Sequence, residues 1–290
     1  MELCKNKIDV HIHAMENELP VKDMWEAPLP ETVIENYKKS GIEKGILQAL
    51  VSPESRRFIM TTETVMHIKD KYPESFNFAI GIDPRMFGNN EKADFSKIFE
   101  FYKQRGAVSV GEMTANLYFD DPLYDNLLAQ CAEFDLPVTI HVSPKVGLGY
   151  GVVDEEGLYR LEKILKKYPK LKIIGHSWDF WNYIYKSKSR EIIKSGEGRL
   201  FELFGKYENL YADFSAGSGF TAIKKDEANG FKFLNAFSDR VMFGTDCSFR
   251  AEDGVSPLSQ WIDEKYVRGE ISKELYFKFC RENAVELFEL

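Results

Sequence analysis

Long apolar runs are missing from this sequence. No uninterrupted stretch approaches the roughly 18 residues of a membrane-spanning helix, and Met1 to Lys7 lack the apolar core of a secretory signal, so a soluble, cytoplasmic protein is expected. Cysteine is scarce. Cys4, Cys131, Cys247 and Cys280 are scattered and form no CxxC or other short metal spacing, which argues against a disulfide scaffold and for buried free thiols, with only Cys247 beside a motif. Basic charge is in deficit, 38 Lys plus Arg against 46 Asp plus Glu, and the formal charge of −8 argues against broad polyanion binding while leaving room for a local basic site. No Pro-, Gly- or Ser-rich linker divides the chain, and no low-complexity tract or repeat stands out. With 44% hydrophobic and 29% charged residues in 290, the composition is that of a globular protein with a large core.

What is present is a repeating order: short runs rich in Val, Ile, Phe and Leu, each followed by a longer stretch of helical spacing. Strands are predicted over 7–13, 44–50, 77–82, 107–112, 137–142, 171–176, 209–213 and 240–246, with little alternating charge, as in strands buried on both faces. Helices are predicted over 31–40, 55–71, 94–104, 122–134, 155–168, 198–206, 220–237 and 257–268. Pro122 after Asp121 suits a helix start, and Gly41 after Lys38-Lys39-Ser40 suits a helix stop. Eight βα units match a closed (β/α)8 TIM barrel, α/β in class and a single domain over 1–290, with the active site at the C-terminal ends of the strands. An open doubly wound sheet is the alternative, but it would favour a Gly-rich phosphate turn where the chain reads His11-Ile12-His13-Ala14.

Four of the five histidines fall at the C-terminal ends of predicted strands, the face that carries the active site in such a barrel. His11 and His13, two apart in a strand, point to one side and offer a chelating pair of imidazoles. His141 closes Val138-Thr139-Ile140-His141, His176 closes Ile173-Ile174-Gly175-His176, and Asp246 closes Val241-Met242-Phe243-Gly244-Thr245-Asp246. Each alone fits a hydrogen-bonded strand end. Together, four imidazoles and a carboxylate facing one mouth call for a balancing charge or a metal. Glu112, after Gly111, is a second carboxylate in the mouth, read either as an ion-pair partner of Arg85 or Lys145 or as an oxygen ligand shared between two cations.

The order HxH, Glu, His, His, Asp at the ends of strands 1, 4, 5, 6 and 8 resembles the metal-dependent amidohydrolase superfamily, in particular its amidohydrolase-related branch of TIM-barrel hydrolases and decarboxylases. The similarity runs from Ile8-Asp9-Val10-His11-Ile12-His13 through Phe243-Gly244-Thr245-Asp246 to Glu282-Asn283-Ala284-Val285-Glu286-Leu287-Phe288, which is similar to the branch's closing helix. The resemblance implies that His11, His13 and Asp246 bind a first divalent metal, zinc foremost, with manganese, iron or cobalt as alternatives. His141 and His176 would bind a second or, with one metal, serve as ligand and catalytic imidazole. Glu112 stands where binuclear members often carry a carboxylated lysine, which keeps a bridging anion available. The implied activity is hydrolysis of a small amide, lactone or ester, with Asp246 taking the proton from metal-activated water and His176 or His141 steadying the oxyanion. The alternative is a one-metal, non-oxidative decarboxylase of an aromatic or muconate-like acid. A DNase-like phosphodiesterase, against which the −8 charge counts, and a non-catalytic metal- or ligand-binding barrel are further readings. The expected partners are a small-molecule substrate and a second copy in a homodimer, not a membrane or a nucleic acid.

Other residues carry weaker expectations. Asp9 should face the interior with His11 and support the metal site. Arg85, Lys145 and Arg250, after strands 3, 5 and 8, are candidates to hold a substrate carboxylate or phosphate. Trp178, Phe180, Trp181, Tyr183 and Tyr185 read as a substrate wall or as packing, and the loop from Met15 to Pro30, with Trp25, as a lid or oligomer contact. Gly147, Gly149 and Gly151 lack the dinucleotide spacing and predict a flexible loop at the mouth, while His67, inside a predicted helix, is read as structural.

Overall fold

The computed structural model describes residues 2–18, 27–55, 59–186, 196–246 and 254–290, so Trp25, Cys247 and Arg250 lie outside the described residues. Eight parallel strands follow one another around the barrel in chain order: β1 (Lys7–Ile12), β2 (Ile42–Leu47), β3 (Phe76–Ile80), β4 (Ala107–Met113), β5 (Val138–Ser143), β6 (Ile173–His176), β7 (Leu210–Asp213) and β8 (Val241–Met242). A two-residue strand, Val152–Val153, adds beside β5. The ring closes where the Val10 amide donates to the Phe243 carbonyl at 3.1 Å and the Asp246 amide donates to the His11 carbonyl at 2.7 Å.

The intervening helices are α1 (Pro30–Ser40), α2 (Thr62–Lys71), α3 (Ser96–Lys103), α4 (Pro122–Glu133), α5 (Tyr159–Lys167), α6 (Arg199–Lys206), α7 (Ala216–Lys224), α8 (Glu227–Ala236) and α9 (Pro257–Val267). Asp121 caps α4 by accepting from the Leu123 amide, and Gly41 ends α1 at φ 67°, as their residue types predict. The helix expected over 55–71 starts only at Thr62, where the Thr61 hydroxyl caps it, and the helix expected over 220–237 is broken in two by Asp226, which caps α8. The strand expected over 240–246 keeps only Val241–Met242 in regular pairing; the chain then leaves the ladder, reaching Asp246 at φ 48°. Among the described residues, no helix is long and apolar enough to cross a membrane.

Apolar residues form two clusters. The larger lies between sheet and helices and includes Val33, Leu47, Phe78, Leu128, Ile173 and Phe204. The smaller draws Ile8, Val10, Ile46, Ala79, Ile174 and Met242 from five strands onto Ala284, Leu287 and Phe288 of the closing helix α10 (Asn283–Phe288), which plugs the barrel floor. Burying a side chain of this size contributes about 1.5–3 kcal/mol. A register shift in β1 between Asp9 and Ile12 divides the strand. Ile8 and Val10 belong to the inner cluster and Ile12 to the outer one, with His11 inside the shifted stretch and His13 just past it. Cys4, Cys131 and Cys280 are buried free thiols, as expected, and His67 is exposed on α2.

Candidate metal centre

His11 and His13 converge as their spacing predicts, with Nε2 atoms 3.2 Å apart. Glu112 Oε2 stands 3.6 and 3.4 Å from those two nitrogens, and Asp246 Oδ1 stands 3.7 and 3.4 Å from them. Four ligands held at about 2.1 Å around a tetrahedral ion are about 3.4 Å from one another. The two imidazoles therefore fit one divalent cation together with either carboxylate, and imidazole with carboxylate is chemistry suited to it.

The second half is wider. Ladder pairing of β5 with β6 sets His141 directly beside His176. Glu112, His141 and His176 offer ligand atoms that all lie within 4.8 Å of one another. Glu112 joins the halves: Oε2 faces His11 and His13, while Oε1 lies 2.7 Å from His141 Nδ1. Backbone bonds fix it there, the Glu112 amide donating to Ala49 and the Ala49 amide to Gly111. Asp246 also divides its oxygens, with Oδ2 3.8 Å from His176 Nε2. Glu112 is 3% exposed, whereas His141 is 20% and Asp246 12% exposed, so these two mark the side from which solvent or a substrate approaches.

Hydrogen bonds behind the centre orient its imidazoles. His13 Nδ1 donates to the Gln48 carbonyl at 2.9 Å, and His11 Nδ1 donates to Asp213 Oδ2 at 2.7 Å. Each bond leaves the Nε2 lone pair facing the cluster. Tyr150 packs against His141 with ring centroids 4.3 Å apart and the ring planes tilted by 40°. Gly151 lets the loop approach this closely, because a Cβ there would lie 2.3 Å from the His141 carbonyl oxygen.

Electrostatics follow from this packing. Burial opposes charge on His11, but Asp213 and then Glu112 overcome it and raise its pKa well above the ordinary value. His13 is raised against burial by Asp246 and Glu112. Burial likewise opposes ionisation of Glu112, yet hydrogen bonds from His11, His13 and His141 hold it well below the usual carboxylate range. Asp246 is held down to about 2, burial being outweighed by His13 first. In His141 burial wins over Glu112 and lowers the pKa. Three carboxylates thus draw positive charge to one buried point, the field a divalent cation requires.

All six residues expected at the site, His11, His13, Glu112, His141, His176 and Asp246, are brought together. Glu112 meets imidazoles rather than Arg85 or Lys145. Arg85 does not serve as a free anion binder: its guanidinium grips Glu54 through two bonds of 2.7 Å and Asp83 through bonds of 2.8 and 2.6 Å. Lys145 is exposed on the loop after β5. Asp9 does not join His11 at the centre. Its carboxylate turns to Tyr37 and Thr245 and accepts the His11 amide, because the β1 register shift changes which face follows. It supports the site by fixing Thr245 beside Asp246. Of the aromatic run, Phe180, Trp181 and Tyr185 are buried packing, and Trp178 is exposed. The described ends of the Met15–Pro30 loop meet where the Met15 amide donates to the Pro28 carbonyl. Sequence reasoning misses Asp213, although it closes Leu210-Tyr211-Ala212-Asp213 much as Asp246 closes its own run. Gln48 and Tyr150 carry no local signal.

The family model described as Amidohydrolase matches residues 8–290. No curated protein matches the chain. Among solved structures, 5-carboxyvanillate decarboxylase from Novosphingobium aromaticivorans, complexed with manganese and 4-hydroxy-3-methoxy-5-nitrobenzoic acid, is similar at 18% identity and TM-score 0.64 over 98% of this chain and 96% of that one. A 2,6-dihydroxybenzoate decarboxylase from Rhizobium is similar at 18% identity and TM-score 0.62 over 98% of both chains. A probable 2-pyrone-4,6-dicarboxylic acid hydrolase from Acinetobacter baumannii, with citric acid bound, is similar at 14% identity and TM-score 0.60 over 98% of this chain and all of that one. At such identities these likenesses carry the fold, and the match over nearly the whole chain carries the family: this protein belongs to the amidohydrolase family.

Proposed function

We propose that this chain is a metal-dependent hydrolase of small amide, lactone or ester substrates. His11, His13 and Asp246 would hold a first divalent cation, zinc foremost, with manganese, iron or cobalt as alternatives. His141 and His176 would hold a second, and Glu112 would be shared between the two. When bound, the metal lowers the pKa of water and polarises a carbonyl. Asp246 Oδ2, turned from the His11–His13 pair, accepts the proton of the attacking water. With one metal bound instead of two, the His176 Nε2 that faces that oxygen, or His141 on the open side, would steady the developing oxyanion.

The observation that carries this reading is the divided Glu112 carboxylate, one oxygen toward each half. The test is the metal-to-protein ratio of the purified chain and of Glu112→Gln, with hydrolysis of a nitrophenyl ester and a lactone. About two metals per chain, falling toward one on substitution together with hydrolysis, supports the reading. About one metal, insensitive to Glu112, with no hydrolysis, overturns it. The second reading, a one-metal decarboxylase of an aromatic or muconate-like acid, draws support from the similar decarboxylases, two of them solved with manganese. Carbon dioxide release without oxygen incorporation from labelled water separates the two.

A further inference from the structure

Asp213, at the end of β7, is fully buried behind the candidate centre. Its Oδ2 accepts from His11 Nδ1 at 2.7 Å and from the Ser215 hydroxyl at 2.9 Å, and stands 3.2 Å from His176 Nδ1. Ser215 Oγ in turn lies 3.0 Å from the same His176 nitrogen, so the Nδ1–H of His176 is shared between that hydroxyl and the carboxylate. Asp213 Oδ1 accepts the Ser215 amide at 2.8 Å, and the Trp181 indole N–H donates to the Asp213 carbonyl at 3.1 Å. The bonds to its two oxygens fix the carboxylate in place, and the Trp181 bond holds the backbone that carries it.

We propose that Asp213 is the shared positioning residue of the centre, one carboxylate that sets the imidazoles of both His11 and His176, so that the two halves keep or lose ligand geometry together. The inference rests on the metal-centre reading above. A carboxylate that accepts from Nδ1 leaves the opposite ring nitrogen as the lone-pair donor and raises its basicity. Here a single carboxylate does this for a residue of each half. His11, His176 and Asp213 lie close enough to be taken for a ligand trio themselves. The atoms argue otherwise: Asp213 meets Nδ1, while Nε2 of the same His11 ring meets His13, Glu112 and Asp246. The strand-8 segment is shaped around this arrangement. A Cβ on Gly244 would come within 2.7 Å of Asp213 Oδ1 and 2.8 Å of the Ser215 Cβ, so the run that ends in Asp246 also leaves the space that Asp213 occupies.

The test uses the full chain, Asp213→Asn and Ser215→Ala, with Zn2+ affinities from competition against a chelating dye and the visible absorption of bound Co2+. Asp213→Asn is expected to weaken Zn2+ binding about 10- to 100-fold at both halves and to change the Co2+ spectrum while far-ultraviolet dichroism is retained. Ser215→Ala removes a bond to Asp213 and one to His176 but none to His11, so it is expected to weaken only the second Zn2+, several-fold. If Asp213→Asn does not fold, Ser215→Ala decides. Unchanged affinities and spectra in the folded variants overturn the proposal, as does a loss confined to either half in Asp213→Asn or to the first half in Ser215→Ala. A wild-type chain that binds no Zn2+ overturns the metal-centre reading and this inference with it, whereas normal binding in both wild type and variants overturns this inference alone.

Discussion

Along β6, Ile174 and His176 stand two residues apart in opposite surroundings. Ile174 lies in the apolar floor with Val10, Ala79, Met242 and the closing helix, and His176 lies in a mouth of imidazoles and carboxylates. Both are almost completely buried. The floor gains free energy from burial, whereas the mouth spends it, because ionisable groups withdrawn from water are costly unless paired. The mouth is tolerable because each carboxylate faces imidazoles and because the floor and the outer cluster hold the barrel independently. Stability and chemistry are thus separated by a few residues of strand, which the following measurements can break or sharpen.

The largest expected effect is in the mouth. Asp246→Asn should reduce hydrolytic kcat about 100- to 10,000-fold with the melting temperature nearly unchanged. Parallel loss of fold and activity would break the separation. The floor should respond in the opposite sense: Ile174→Ala should cost about 2–5 kcal/mol in denaturant unfolding while the metal-to-protein ratio of the folded chain is preserved. Between them lies Gly151→Ala, whose new methyl group must push back the His141 backbone. It should cost about 1–3 kcal/mol and lower metal occupancy at the His141–His176 half before the His11–His13 half. Equal loss at both halves would show that they are not separable from this side.

The smallest effect belongs to the outer surface. Glu162 on α5 receives bonds from Lys206 at 2.6 Å and Tyr207 at 2.9 Å, and pairs with Arg199, tying α5 to α6 and the residue beyond it. Lys206 first, with Tyr207 and Arg199, holds its carboxyl down to about 2 from an ordinary 4.5. A depressed folded value stabilises above the unfolded pKa and is lost as pH falls through the folded one. Glu162→Gln should therefore cost about 1 kcal/mol or less at pH 7, and its melting temperature should converge on that of wild type as pH falls from 4.5 toward 2. A gap that persists at the acidic end would assign the effect to packing.

Much of this was legible in the chain. The alternation of apolar runs and helical spacing located all eight strands within a few residues, and one ionisable residue at the end of a run marked His141, His176, Glu112 and Asp246. Asp213 carried that signal too, but its role depends on His11, 202 residues away, and on the gap left by Gly244. Arg85 looked available because nothing local shows that Glu54 and Asp83 close on it. Asp9 looked like a companion of His11 because strict alternation is the default for a strand, and a register shift cannot be read from spacing.

By itself, then, the sequence determined a parallel barrel and the set of ionisable side chains at its C-terminal mouth, because periodicity and strand ends are local properties of the backbone. Only the tertiary structure decided the partners within that set: Glu112 between His13 and His141, Asp213 behind His11 and His176, Arg85 already engaged. These are separations of a few ångströms between residues distant in sequence. They are fixed by strand register, barrel closure and the room a glycine leaves, and none of these is written in any single stretch of the chain.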